Sequence, residues 1–381
     1  MDMYKDEMNV SGADLYSGLQ KIFPDEKDLT LTERLEAARG PLLSWYRGNK
    51  RDLPWRENQD AYRIWISEIM LQQTRVEAVK PYFRRFTEEL PDPAALAECP
   101  EEKLLKLWEG LGYYNRVRNM QIAAQTVVEE YDGVLPASYE KLLSLKGIGS
   151  YTAGAIASIA YDIPVPAVDG NVLRVITRII EDDGDIMKQS VKKRIENKLQ
   201  EIMPGEYPGD FNQALMELGA VVCVPNGEPK CDVCPVAFCC GARAHGTIDR
   251  FPVKAQKKDR KLEDRTVLVI QDGEKTAIRR RPSRGLLAGL YELPNLKGHL
   301  SEEEVLESVK AMDLEPLRIE ALPEAKHIFS HIEWRMTAYR VRVSSLEEIR
   351  QNDLLFVGKR QSDDQYAIPS AFSAYTKYIR E

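Results

Sequence analysis

The sequence predicts a multidomain protein: an all-α domain that closes on a cysteine-rich module, followed by an α+β domain, with a basic linker between them. Three observations predict it. Apolar residues recur at helical intervals from Thr30 to about Ala220. Cysteines crowd between Cys223 and Cys240. Beyond Arg265 the pattern changes, and Thr266–Ile270 and Ile332–Val343 read as strands. A chain of 381 residues with 43% hydrophobic content is long enough for two or three separate cores.

Composition narrows the function classes. No apolar run reaches the roughly 18 residues of a membrane span. The N-terminus, Met-Asp-Met-Tyr-Lys-Asp-Glu, has neither the basic nor the apolar stretch of a secretory signal. Cytoplasmic residence and no membrane partner are therefore expected, and a monomer. The net charge of −7 argues against a nucleic-acid partner, because phosphate binding draws on Lys and Arg. Any such surface must be local, and basic clusters occur at Arg84/Arg85, Arg116/Arg118, Lys188–Arg194 and Lys254–Lys261.

Residues 1–29 show no sustained period and read as a partly disordered extension. Thr30-Leu-Thr-Glu33 has capping-box spacing, and Leu35, Ala38, Leu42, Leu43 and Tyr46 follow on one helical face, so folded chain is expected from residue 30 to 245. Arg51–Arg56 ends that helix. The next, Tyr62–Arg75, carries Glu68 with Ile64 and Trp65 one turn before it and Leu71 one turn after. A carboxyl on such a face is desolvated, keeps its proton near neutrality and suits a general acid. The alternative is a Glu at the helix edge, reaching solvent or pairing with Arg75. Leu104–Arg116 reads as a helix stopped by Gly110 and Gly112, presenting Tyr113 and Tyr114 beside Arg116 and Arg118. Aromatics among basic residues suit base stacking and phosphate gripping, although tyrosines also serve as core.

The stretch Lys141–Ile156 reads as a helix, a tight hairpin and a second helix. Gly147 and Gly149 let the backbone turn and leave amides unblocked at the start of the helix near Ser150, an arrangement that binds phosphate. Thr152, Ala153, Gly154, Ala155 and Ala157 keep that helix thin. Asp169 follows the proline-stiffened Pro164–Val168 and precedes a striped helix, so it serves as an N-cap or as a placed carboxylate. Cys223, Cys231, Cys234 and Cys240 have gaps of seven, two and five residues. Clustered thiols in a cytosolic chain signal a metal centre, and spacing alone leaves zinc and iron–sulfur equal. Cys239 competes with Cys240 for the fourth place, and Cys99 reads as a buried thiol. Residues 246–265 are polar and basic and read as the linker. In the second domain, 266–381, Ser301–Glu304 caps a helix and Pro369 opens a terminal one.

Leu145-Lys-Gly-Ile-Gly-Ser-Tyr-Thr-Ala-Gly-Ala155 and Val168-Asp-Gly-Asn-Val-Leu-Arg174 resemble the helix-hairpin-helix motif and catalytic aspartate of the endonuclease III superfamily of DNA glycosylases. Ser67-Glu-Ile-Met-Leu-Gln-Gln-Thr74 is similar to the catalytic-acid segment of its MutY-type adenine glycosylases. Arg280–Pro294 resembles their Nudix-like C-terminal domain, and His327-Ile-Phe-Ser-His331 their 8-oxoguanine-reading segment. The metal-binding run of active Nudix hydrolases is not evident, so no pyrophosphate hydrolysis is expected.

The resemblance implies an enzyme that removes adenine mispaired with 8-oxoguanine or guanine in double-stranded DNA by hydrolysing the N-glycosidic bond. It implies Glu68 as acid, Asp169 as the carboxylate at the sugar, and Tyr151 and Asn171 as their positioners. DNA contacts are implied for Arg51, Trp55, Arg56, Leu71, Gln73, Thr74, Tyr113, Gly147, Gly149, Phe329, Ser330 and His331, with Gln73 and Tyr113 as duplex wedges. A [4Fe-4S] cluster on Cys223, Cys231, Cys234 and Cys240 is implied as well; the family's first gap is six residues, so the seven here require a bulge. Bifunctional relatives carry a catalytic Lys where this sequence has Tyr151, so a monofunctional enzyme is expected.

Overall fold

Helix periodicity before the cysteines and strand alternation after them are both realised in the computed structural model, which describes residues 29–255, 259–344 and 353–379. The expected extension before residue 29 lies outside the described residues. The chain divides into two compact units. The first ends at Ala97 and resumes from Ile122 to the linker; the second combines Glu98–Gln121 with the chain beyond the linker. Within the 30–245 read as one domain, Glu98–Gln121 therefore groups with the second unit.

In the first unit, Leu31–Asn49 begins with the expected capping box, Thr30 and Glu33 each satisfying the other's backbone amide. Its buried face, Leu35, Ala38, Leu42 and Tyr46, packs on the Gly170–Ile180, Gln189–Ile202 and Pro208–Val221 helices around Val172, Ile176, Ile195, Phe211 and Leu215. Gly170–Ile180 is buried along almost its whole length, which fixes the residues at its N-terminus. The Ser150–Tyr161 helix approaches Pro164–Ala167 so closely that a Cβ on Gly154 would stand 2.2 Å from the Pro166 carbonyl oxygen. The thin face read in the sequence is therefore a backbone contact, and it sets where the chain reaches Asp169.

Among the described residues, the second unit is built on a seven-stranded mixed sheet. Its main path runs β3 (Tyr291–Glu292), β2 (Lys275–Arg280), β1 (Lys261–Asp272), β6 (Ile332–Val343) and β5 (Pro316–Ile328), with β4 (Asn295–Lys297) on β1 and β7 (Leu354–Val357) on β2. β1 and β6 run parallel, from Lys261 opposite Ile332 to Gln271 opposite Arg342. Successive residues of β1 feed opposite faces: Val267 and Val269 join Trp334, Met336 and Phe372, while Leu268 and Ile270 join Val305, Val309 and Val341. That explains an apolar run where alternation would mark a half-exposed strand.

Three boundaries differ from the sequence reading. β1 starts at Lys261, inside the expected 246–265 linker, because its first turns are held by β6 rather than by their own burial. Pro369 does open a helical end, but as three abutting short helices, Ser370–Phe372, Ser373–Thr376 and Lys377–Ile379, of which only the middle one is α. Glu98–Gln121 packs in the second unit through backbone acceptors. Lys106 Nζ donates to the Ser362 and Tyr366 carbonyls at 3.2 and 3.0 Å, and Arg118 Nη2 donates to the Ala288 carbonyl at 2.8 Å. Among the described residues no helix is long and apolar enough to cross a membrane.

Candidate active site

Glu68 lies on the Ala61–Leu71 helix, started by Asp60, whose side chain accepts from the Arg63 amide at 2.8 Å. The neighbours that suggested desolvation do desolvate it: Glu68 is 6% exposed. Burial pushes its carboxyl up to about 7; the Tyr151 hydrogen bond opposes the rise, the Asp169 charge adds to it and Arg56 draws it back. Tyr151 stands in the first turn of Ser150–Tyr161 and donates its hydroxyl to Glu68 Oε2. Burial, then the nearby carboxylates, drive that phenol well above 10, so it remains a donor.

Asp169 fulfils both sequence readings. It is the N-cap of Gly170–Ile180, Oδ1 accepting from the Val172 amide at 2.7 Å, and its Oδ2 accepts from Asn171 Nδ2 at 2.8 Å. Burial raises its pKa, while these hydrogen bonds and Arg174 counter the rise. Asn171 cannot turn its amide freely, since its Oδ1 accepts from Arg174 Nη2 at 2.8 Å. Arg174 in turn donates to the Gly219 and Cys223 carbonyls, both at 2.8 Å. The two carboxyls therefore have different supports: one has a single hydroxyl, the other a set of donors.

Both face one cavity of about 660 Å³, lined also by Tyr151, Asn171, Arg51, Trp55, Arg56, Leu71, Gln73 and Thr74. That volume lies in the range of small-molecule sites, ample for a purine nucleoside. Residues that sequence reasoning passed over complete the wall. Glu217, 1% exposed, accepts from Arg51 Nε at 2.6 Å and Arg56 Nη2 at 2.9 Å, and Gln213 Oε1 accepts from Arg56 Nε at 3.1 Å. Burial pushes Glu217 up, but the two arginines outweigh it and hold the carboxyl below its ordinary value. Arg51 and Arg56, implied as DNA contacts, are thus first of all ion-paired in the cavity wall. The signal for Glu217 was present: Met216-Glu-Leu218 puts a carboxylate in an apolar helix, as around Glu68.

The hairpin glycines differ. Gly147 has φ +80° and needs to be glycine, whereas Gly149 is extended and forms the N-cap of Ser150–Tyr161 with no side chain over the first-turn amides. The implied wedges share a backbone feature: Gln73 and Tyr113 sit at φ +61° and +48°, and Tyr113 is 51% exposed. In the second unit, Phe329 stacks edge-on against Trp334 and His327 with centroids 4.9 and 4.6 Å apart, while Ser330 and His331 are exposed beyond it.

Cys223, Cys231, Cys234 and Cys240 line one cavity with Arg178 and Arg243. Cys239 does not; it is 0% exposed in the helical core and its thiol donates to the Val236 carbonyl at 3.4 Å. The extra residue of the first gap is taken up in a loop closed by Lys230 N–H to the Val222 carbonyl at 3.1 Å, with Gly227 at φ +77°. Among the described residues no group of three or more His, Cys, Asp or Glu converges closely enough to hold a single metal ion.

Two family models match the chain, one on each side of residues 223–240. Residues 66–204 match the HhH-GPD superfamily of base excision DNA repair proteins, and residues 266–378 match the NUDIX domain. Adenine DNA glycosylase of Mus musculus is 37% identical over 84% of this chain and 72% of its own length. That of Homo sapiens is 36% identical over 80% and 66%. That of Buchnera aphidicola subsp. Acyrthosiphon pisum is 32% identical over 81% and 87%. A chain so covered by these relatives, with two carboxyls on one nucleoside-sized cavity, belongs to the adenine DNA glycosylase family of base excision repair enzymes.

Proposed function

We propose that the protein excises adenine paired with 8-oxoguanine, or with guanine, from duplex DNA by hydrolysing the N-glycosidic bond and leaves the strand uncut. The observation that carries this reading is the shared cavity of Glu68 and Asp169, one carboxyl pushed up to about 7 and the other held by several donors. Adenine inside a helix is out of reach, so it must be unstacked and turned into the cavity. As the bond from C1′ to the base breaks, its electron pair moves to the base, and the Glu68 proton passes to a ring nitrogen so that adenine leaves neutral. The Asp169 carboxylate stabilises the positive charge spreading over C1′ and the ring oxygen. Water then adds at C1′, its proton is lost, and an abasic sugar remains. Single-turnover release of adenine from A:8-oxoguanine, A:G and A:T duplexes tests the assignment. Equal rates on all three would refute the mispair specificity.

Two features support the uncut strand and the lesion preference. Strand cleavage in this superfamily needs an amine at the abasic carbon, and the position in question is Tyr151, committed to Glu68. Borohydride reduction on the adenine substrate should trap no abundant covalent adduct. For lesion choice, 8-oxoguanine differs from guanine by an N7 hydrogen and an O8 acceptor. The exposed Ser330 hydroxyl and His331 imidazole, on the turn anchored by Phe329, have the donors and acceptors to tell them apart.

The cysteine cavity suits a [4Fe-4S] cluster on Cys223, Cys231, Cys234 and Cys240. Four thiols line it, the donor set that such a cluster takes. Arg178 Nη1 donates to Cys223 Sγ at 3.2 Å. When bound, the cluster would cross-link residues 223–240. Iron and zinc determination on purified protein decides between them. Cys240→Ser should lose the metal and Cys239→Ser retain it.

A further inference from the structure

The loop that carries Tyr113 is unusual in its backbone. Gly110 and Gly112 have φ of +98° and +69°, and Tyr113, which has a Cβ, has +48°. A tyrosine is seldom left there unless its surroundings impose it. Half of the Tyr113 side chain faces solvent, so apolar burial is not what holds it.

The constraint comes from two residues flanking the loop. Trp108 Nε1 donates to the Gly112 carbonyl at 3.0 Å. Arg116 Nη2 donates to the Leu111 and Gly112 carbonyls at 2.9 and 3.1 Å, and the Arg116 amide to the Tyr113 carbonyl at 2.8 Å. The same guanidinium stands over both rings, 5.4 Å from the Trp108 centroid and 5.6 Å from that of Tyr113. Burial lowers its pKa to about 10, which leaves it cationic at neutral pH. Arg116 thus joins the loop carbonyls and the exposed phenol ring through one planar group, which a lysine ammonium cannot do.

We infer that Arg116 is the positioning residue of the duplex wedge, fixing the Gly110–Tyr113 loop so that the Tyr113 ring is presented rigid and ready to enter the base stack. The inference rests on the wedge role of Tyr113. It removes Arg116 from the general basic surface, because its Nη2 is turned inward to two carbonyls, and gives it a task that charge alone cannot perform. A mobile phenol would have to be ordered as it enters the duplex, and that ordering entropy would be added to the cost of unstacking.

The test uses the full-length protein and a duplex with 2-aminopurine beside the 8-oxoguanine and 2′-fluoro-deoxyadenosine, which resists hydrolysis, opposite it. Fluorescence on mixing reports unstacking, and anisotropy of the same complexes checks that each variant folds and binds. Tyr113→Ala should lose most of the rise. Arg116→Met and Arg116→Lys should each lose more than half of it, and the Arg116→Met/Tyr113→Ala double variant no more than Tyr113→Ala. Single-turnover excision should fall about tenfold in step. A full rise in Arg116→Lys would show that charge suffices and overturn the proposal, as would a double variant that loses clearly more of the rise than Tyr113→Ala. A full rise in Tyr113→Ala would remove the wedge itself, and the role of Arg116 with it. Loss in Tyr113→Ala but not in the Arg116 variants would overturn only the latter.

Discussion

The cavity shared by Glu68 and Asp169 and the Phe329–His331 turn do opposite things with their side chains. In the cavity, Glu68, Tyr151, Asp169 and Asn171 are held by named partners, and each support is itself supported: Asn171 by Arg174, Arg174 by two carbonyls. On the turn the Phe329 ring is anchored against Trp334, while the Ser330 and His331 side chains are exposed and stand 3.3 Å from each other. Bond breaking needs groups whose protonation and direction are settled before the substrate arrives. Reading a base edge needs donors and acceptors not already taken. The difference teaches that loss of a cavity residue should destroy the rate, whereas loss of a turn residue should only redistribute it among substrates.

The largest effect tests that division directly. Glu68→Gln keeps the shape of the acid and removes its proton, so single-turnover adenine release should fall about a thousandfold while DNA affinity stays within a few fold. An unchanged rate would rule out Glu68 as the proton donor to the departing base. Asp169→Asn should fall comparably, with some loss of stability because the Asp169 cap is weakened. Next in size, His331→Ala or Phe329→Ala should reduce the preference for A:8-oxoguanine over A:G by about tenfold, the value of roughly 1.4 kcal/mol. The A:G rate itself should hardly move. If it fell a hundredfold, the turn would belong to catalysis and the contrast would fail.

The smallest effect is on stability. The folded-state value of Glu68, about 7, lies above its ordinary 4.5, so the folded protein binds this proton more tightly than the unfolded chain. That contribution is complete below about pH 4.5 and is lost as pH rises through 7. Glu68→Gln cannot lose a proton, so its Tm relative to the native protein should rise by a few degrees between pH 5 and pH 8. A constant difference would place the Glu68 titration elsewhere.

Much of the cavity was legible because its signals are local. A carboxyl flanked by Ile64, Trp65 and Leu71 is visible in any helical reading, and Asp169 before a striped helix is visible as a cap. Their meeting was not, since about a hundred residues separate them and only the packing of Ala61–Leu71 on Ser150–Tyr161 closes the distance. Cys240 could be preferred to Cys239 only by resemblance, until the latter proved to be core. The attachment of Glu98–Gln121 to the second unit was illegible for a different reason. Several of its acceptors are the carbonyls of Ser362, Tyr366 and Ala288, and a backbone carbonyl has no residue signature. Gly147 and Gly149 looked alike in sequence, yet only the first has a conformation that requires glycine.

The claim on which the rest depends is that Glu68 holds its proton near neutrality while Asp169, in the same cavity, does not. Carbon-13 NMR titration of the carboxyl-labelled protein, with the two resonances assigned through Glu68→Gln and Asp169→Asn, measures this directly. The Glu68 carboxyl is expected to titrate near pH 7, and Asp169 to give up its proton first. A Glu68 midpoint near its ordinary 4.5, or a proton that stays on Asp169 after Glu68 has ionised, would contradict the mechanism.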